Sequence, residues 1–362
     1  MDKLNKIYLV GTTYPLEGSI NGPSAVVSSL AKEFSKQNVV FEFLNYESGV
    51  QSKKKYIFTL AKKILFSRNV VFNVHTDGYI IPFIVMLLSK INRLNKYYLT
   101  VHGVHKMEIE YFKNPNKKNL ILEKILYRYF DNLICVSNFL QKAINEIYNR
   151  KENVYVIHNG TYKVDEKYIE KKINNDQLKL IMTGGIKPIK GIFELIEVVD
   201  HIRNKLNINV SLDVYGGYHD INNLNKLNEL IEKYNLQGYV NYKGIIKDKN
   251  ELLNKYREAD LNMCLSKFDT FNVAVIEAMS VGTPTIATNM CGASELISDY
   301  NNSFIVNYNS ELNSQIAKII RFLLDNNELY TKISEKAYLD IRNCSWQRTA
   351  DKYIEIFNSI RL

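Results

Sequence analysis

LKLIMTGGIKPIKG, residues 178–191, reads as a strand that runs into a tight glycine turn and then a helix entrance. Its apolar run is nearly continuous, as in a parallel strand covered on both faces. The stretch Phe193 to Leu206 follows with helical periodicity, and VSLDVYGG (210–217) repeats the strand–glycine pattern. Strands that alternate with helices in this way predict a parallel, doubly wound sheet.

The same alternation extends in both directions. Downstream come a helix over 224–234, the strand VNYKG (240–244), a helix over 249–259, and the strand LNMCLS (261–266). A helix over 273–281, the strand TPTIAT (283–288), a helix over 310–325 and a final amphipathic helix over 346–360, with Ser345 as its N-cap, complete that half. Upstream, KIYLV (6–10), VVFEFLN (39–45), VVFNVH (70–75), YYLTVH (97–102), NLICVS (132–137) and NVYVIHNG (153–160) alternate with helical patterns at 24–37, 82–91, 120–130 and 138–148. The polar stretch 161–177 reads as a linker or irregular crossing. Two Rossmann-like doubly wound units are therefore predicted, 1–165 and 175–340, with a closing helix at 345–362. Ligands then belong at the carboxyl ends of the strands, in a cleft between the units.

A chain of 362 residues with 46% apolar and 23% charged residues can bury a sizeable core without disulfides or metals. Cys135, Cys264, Cys291 and Cys344 have no metal-like or redox-like spacing, and are read as reduced thiols in a cytoplasmic protein. The N-terminus shows no signal-peptide pattern. The longest apolar run, 79–88, contains Pro82 and is too short to span a bilayer. The net charge of +9 is concentrated: residues 1–165 carry 23 Lys/Arg against 13 Asp/Glu, and the remainder is nearly balanced. The basic half is expected to face something anionic, or to be a solvated lysine-rich surface.

The most specific constellation is SKFDTFNVAVIEAMSVGTPTIAT (266–288). Asp269 sits in a loop after a strand, and Glu277 lies inside the next helix, whose N-terminal amides begin near Asn272. One carboxylate suits a sugar hydroxyl and the other a ribose, with an anion resting between them. Lys187 and Lys190 follow the strand at 178–183 and can neutralise a diphosphate. His75 and His102 end strands of the first unit, and His102 is the better candidate for a substrate contact or proton transfer. No carboxylate or histidine cluster has metal-ligand spacing, so no metal and no separate cofactor is expected.

With these residues in view, the chain resembles the retaining GT-B glycosyltransferases of glycosyltransferase family 4. The matching stretches are NGPSAVVSSLAKEF (21–34), TVHG (100–103), LICVSNFLQK (133–142), VIHNG (156–160), TGGIKPIKG (183–191), DVYGG (213–217), VNYKG (240–244), DTFNVAVIEAMSVGTPTIATNMCGASELI (269–297) and SWQRTADKYIEIF (345–357). The resemblance implies that the first unit takes the acceptor and the second the nucleotide sugar. It implies that Glu277 holds the nucleotide ribose and that Asp269 meets the donor sugar. It places Asn272, Val273 and Ala274 at the diphosphate by their backbone amides, with Lys190, Gly185 and Gly22 beside it. His102 falls near the donor sugar, and Gly244 to Ile246 where the base is held. The departures are Gly185 in place of an arginine, Asp269 in place of a glutamate, and Asn272 and Asn21 in place of glycines.

The reading that results is retaining transfer from a nucleoside diphosphate sugar, UDP favoured, to a glycan or lipid-linked glycan in cell-surface polysaccharide synthesis. KKKYIFTLAKKILFSR (53–68), with the stripe Ile57, Leu60, Ile64 and Leu65, is expected either to meet an anionic membrane at its inner face or to pack on the core. A non-catalytic sugar-nucleotide-binding partner of another glycosyltransferase is the second reading, motivated by Gly185 and Asp269. Nucleic-acid binding has only the basic half behind it and no recognition motif, so no nucleic acid is expected. A sugar-nucleotide epimerase lacks the Asp269–Glu277 context.

Overall fold

The protein is described by a computed structural model over residues 6–11, 22–46, 52–75, 78–109, 116–162, 167–173, 176–218 and 220–359. Asn21 lies outside these residues. The chain forms two compact units, Met1–Gly160 with Trp346–Leu362, and Thr161–Ser345.

In the first unit, β1 (Ile7–Val10), β2 (Phe41–Leu44), β3 (Val71–His75), β4 (Lys96–Val101), β5 (Asn132–Cys135) and β6 (Val154–Val156) pair in parallel in the order β2-β1-β3-β4-β5-β6. The connecting helices are α1 (Gly22–Lys36), α2 (Lys53–Phe66), α3 (Ile80–Ser89), the single turn α4 (His105–Glu108), α5 (Lys117–Tyr129) and α6 (Asn138–Tyr148). Reversal of strand order beside β1 puts α1 on one face and sends the later right-handed crossovers to the other. On the first face, Val26, Leu30 and Phe34 of α1 meet Ile7 and Leu9. The same core takes Trp346, Ala350, Tyr353 and Phe357 of the closing helix α13 (Trp346–Ser359; the numbers α7–α12 go to the second unit). On the opposite face, the rings of Tyr8, Phe72 and Tyr97 stack across three neighbouring strands at 4.8 and 5.4 Å, a cross-strand ladder that helps fix register.

The second unit holds β7 (Leu178–Thr183), α7 (Ile192–Asp200), β8 (Val210–Tyr215), α8 (Ile221–Lys233), β9 (Val240–Gly244), α9 (Lys249–Glu258) and β10 (Leu261–Cys264). It continues with α10 (Val273–Met279), β11 (Thr285–Thr288), β12 (Phe304–Val306), α11 (Leu312–Asp325) and α12 (Asn327–Ile341). Its sheet is also parallel, ordered β12-β11-β10-β7-β8-β9. Each unit is Rossmann-like, as the alternation of strands and helices predicts.

Two local expectations need correction, and the open alternative for α2 resolves to core packing. Residues 327–341 form the 15-residue helix α12, which the sequence reading passed over. The stretch expected as a linker packs on the second unit where it is described. Ile173 is in that unit's core, and the buried Lys171 ammonium donates to the carbonyl of Ala259 and to Thr283 Oγ1, the latter at 2.8 Å. In α2, Leu60 and Ile64 are fully buried and only Leu65 of the expected stripe is exposed, so the stripe faces the core.

Candidate functional site

The strand order of the second sheet reverses between β7 and β10. In such sheets the loops leaving the two central strands diverge and open a crevice at their carboxyl ends. The loop after β7 is shaped by two glycines with no room for a side chain. Gly185 has φ +81°, and a Cβ there would lie 2.0 Å from the Gly217 carbonyl oxygen. Gly191 has φ +74°, and its Cβ would lie 1.9 Å from the Leu265 carbonyl oxygen. Ile186 N–H donates to Gly217 O at 3.0 Å, and Lys267 N–H to Ile189 O at 2.9 Å. The one-turn 3-10 helix Pro188–Lys190 is thereby clamped against the exit of β10. A side chain at 185 would collide with this backbone.

The loop after β10 carries Asp269. Its N–H donates to Met290 O at 3.0 Å, and its carbonyl accepts from Gly292 N–H at 2.8 Å, so the main chain is locked on both sides. Oδ1 accepts from Phe271 N–H at 3.3 Å, and Oδ2 takes the Lys190 ammonium. The two side chains are 10% and 24% exposed. Burial works against the Lys190 ammonium, but the Asp269 carboxylate outweighs it and holds the amine above the ordinary lysine range. Burial and the neighbouring Lys190 cation pull Lys187 down, with Asp269 acting the other way. The structure thus brings Lys187, Lys190 and Asp269 together, with one positive charge in excess.

Asn272 sits in the left-handed region at φ 63°, where asparagine is better tolerated than most residues. Its Oδ1 accepts from Ala274 N–H at 3.2 Å, capping α10, and its Nδ2 lies 3.0 Å from Cys264 Sγ. The Ala274 amide, expected to meet a phosphate, is therefore engaged by Asn272. Ala274 is buried and Val273 half-buried. Cys264 and Cys291 approach with sulfurs 3.7 Å apart beneath this loop, and both are free thiols.

Glu277 is the fifth residue of α10 and is 12% exposed. Its Oε1 receives the Lys249 ammonium. Burial pushes the Tyr256 phenol up, and the Glu277 carboxylate adds to that shift. Tyr256 OH in turn lies 2.5 Å from Thr183 Oγ1 at the end of β7. Ile246 is half-buried against the cluster that contains Tyr256 and Ala274. Sequence reasoning missed Lys249. The available signal was its place at the first turn of α9, just after the N-cap Asp248, where the helix dipole disfavours a cation.

Gly22 and His102 belong to the first unit. Gly22 opens α1, with nothing within 4 Å of where a Cβ would stand. His75 ends β3, beside Gly11 at the reversal of the first sheet. His75 Nδ1 lies 3.0 Å from His102 Nε2, and their rings stack at 5.3 Å. His75 Nε2 meets Asn73 Oδ1 at 2.9 Å, and Asn73 Nδ2 donates to Thr100 Oγ1 at 2.9 Å, which lies 3.3 Å from Tyr353 OH. Burial pushes His102 down to about 4. Burial, then the His102 neighbour, hold His75 well below its ordinary value. The loop after His102 is held by the buried Glu123, which accepts from Tyr79 OH at 2.6 Å, His105 N–H at 2.5 Å, Lys106 N–H at 3.1 Å and Tyr148 OH. Asn73 and Glu123 gave no sequence signal, because their role depends on partners far along the chain. Among the described residues no group of three or more His, Cys, Asp or Glu is arranged to hold a metal ion.

Comparison with known proteins bears on both units. Residues 164–340 match the family model for glycosyl transferases group 1, and residues 56–162 match that for glycosyltransferase family 4. A glycosyltransferase of Methanocaldococcus jannaschii is 25% identical, over 69% of this chain and 64% of its own. A 41.2 kDa protein in the cps region of Klebsiella pneumoniae is 24% identical, over 72% and 71%. The Anabaena protein HepE, solved with UDP and with UDP-glucose, superposes with a TM-score of 0.74 at 17% identity, covering 98% of this chain and 100% of that one. The last likeness shows the fold.

Proposed function

We propose, from the premise that the chain is a GT-B glycosyltransferase, that it moves a sugar from a UDP-sugar to a glycan acceptor with retention of configuration. The observation that carries this reading is the convergence of Lys187, Lys190, Asp269 and the start of α10 where the second sheet reverses, with Glu277 on that same helix. The bond between the anomeric carbon and the diphosphate breaks, the acceptor oxygen bonds to that carbon, and the acceptor proton passes to the leaving diphosphate. Negative charge gathers on the leaving diphosphate. Lys190 and Lys187 meet that charge in place of a metal, and the donor displaces Asp269 from Lys190 as it binds. Glu277 holds the ribose, and Ile246 lies beside the base. UDP is favoured because HepE, of the same fold, is solved with UDP and UDP-glucose. The Klebsiella relative from a cps region supports an acceptor in surface-polysaccharide synthesis; the cytoplasmic side belongs to the same proposal.

A second reading has its own observation. Lys190 and Glu277 are both engaged in ion pairs, with Asp269 and Lys249, so a donor must displace both partners, and the alternative is a chain that binds a sugar nucleotide without turning it over. Incubation of the purified chain with UDP-sugars and glycan acceptors separates the two. Transfer is expected, with the product's anomeric configuration matching the donor's by proton NMR. Tight UDP binding without transfer or donor hydrolysis would instead establish the non-catalytic partner, and an inverted product would remove the claim of retention.

A further inference from the structure

Helices α2, α3 and α5 lie side by side on one face of the first sheet. They run against the parallel strands, so their C-terminal ends gather at the amino edge of that sheet. There the end of α2 and the loop after α3 are stitched together. The buried Asn92 donates through Nδ2 to the carbonyls of Ile64 and Ser67 at 2.8 and 2.9 Å. The buried Asn95 donates to the same two carbonyls at 3.3 and 3.0 Å, and Asn69 N–H donates to Leu94 O at 2.9 Å. These bonds satisfy the last carbonyls of α2, which a helix end otherwise leaves to water.

The stitched loops turn large apolar side chains outward. Phe66 is 79% exposed, Ile91 71% and Leu94 51%. Arg68, Lys90 and Arg93 alternate with them in sequence and are exposed as well. Lys90 is paired with Asp131. Among the described residues, neither Arg68 nor Arg93 has an ion-pair partner. Beside Ile91 and Leu94 a solvent-open notch of about 310 Å³ is lined by Ser89, Lys90, Arg93, Asn95, Tyr97 and Asp131. An apolar tip interleaved with unpaired cations is complementary to an anionic lipid surface, where aromatic and aliphatic groups enter the headgroup–acyl boundary and cations stay at phosphate level.

We propose that this tip of the first unit docks on an anionic lipid bilayer, with Phe66, Ile91 and Leu94 entering the boundary and Arg68 and Arg93 meeting lipid phosphates. The surface differs from the one the sequence suggested, since the stripe of α2 is spent on the core. It goes beyond the transfer reading and needs no donor.

Flotation of the full chain with vesicles tests it. The protein should float with phosphatidylglycerol-containing vesicles and not with pure phosphatidylcholine, and salt should weaken the binding. A variant with Phe66→Ser, Ile91→Ser and Leu94→Ser should lose at least about ten-fold in partitioning, with an unchanged urea midpoint because all three side chains point to water. Arg68→Gln with Arg93→Gln should weaken binding to anionic vesicles. In Phe66→Trp, fluorescence should shift to the blue on adding anionic vesicles. The native Trp346 is buried in the core and contributes a constant background. Failure of the wild type to float, equal flotation with neutral vesicles, or full flotation of the triple-serine variant would overturn the proposal. So would a wild-type dimer, seen by sedimentation, that the same variant dissolves, which would make the tip an interface between copies. UDP binding measured in parallel separates a failure here from a failure of the donor site.

Discussion

Position 185 has no room for a side chain. The backbones of Gly184–Gly185 and Gly216–Gly217 cross so closely that a Cβ at 216 would also collide, 2.4 Å from Gly185 N. Gly185→Arg, which would restore the residue of the resembled family, should therefore destabilise the second unit by about 2–4 kcal/mol through a positive φ and a backbone clash. Urea unfolding would show it. An unchanged midpoint with tighter UDP binding would mean that the loop can open, and that the missing arginine is a true loss of function. The Asp269–Glu277 spacing was legible in sequence because loop and helix belong to one local motif. Their partners divide: Lys190 was named for its place at a strand end, whereas Lys249 lies in another crossover and meets Glu277 only through the packing of α9 beside α10.

At the scale of elements, the ends of β3 and β4 hold two neutral, mutually bonded histidines above Asn73 and Thr100. Their folded-state pKa values lie below the ordinary 6.5, near 4 for His102. The unfolded chain therefore binds protons in a window where the folded chain does not. The stability this contributes is complete above pH 6.5 and is lost as the pH falls toward 4, by about 1–2 kcal/mol at pH 5 for His102. The thermal midpoint of the first unit should drop from pH 7 to 5, and His102→Gln should flatten that slope. An equal slope in the variant would assign the loss to other groups. The elements themselves were mostly readable, because buried parallel strands carry dense β-branched runs. Helix α12 escaped because its buried face, Tyr330, Ile333, Ala337 and Ile341, is spread among polar and charged neighbours. Residues 167–173 were read as a crossing because one apolar anchor, Ile173, and one buried amine, Lys171, leave no periodic trace.

At the scale of the whole molecule, the last described helix completes the core of the first unit although the second unit intervenes in the chain. Phe357 is fully buried against Tyr98, with ring centroids 4.8 Å apart. Phe357→Ala should cost about 3–5 kcal/mol. The loss should appear in the fluorescence of the single tryptophan, Trp346, which belongs to that same core. An unchanged fluorescence midpoint would mean that α13 is dispensable to the first unit. The two Rossmann-like units follow from the strand–glycine–helix pattern first seen at 178–191, and the lysines of that stretch now stand beside Asp269 at the reversal of the second sheet. The central claim is that this place in the second unit is a nucleotide-sugar site anchored by Glu277. The thermal shift of the full chain on adding UDP or UDP-glucose, compared between wild type and Glu277→Ala, tests it most directly. The account predicts a rise in the wild type's midpoint and none in the variant. No shift with any nucleotide, or a full shift in Glu277→Ala, would contradict it.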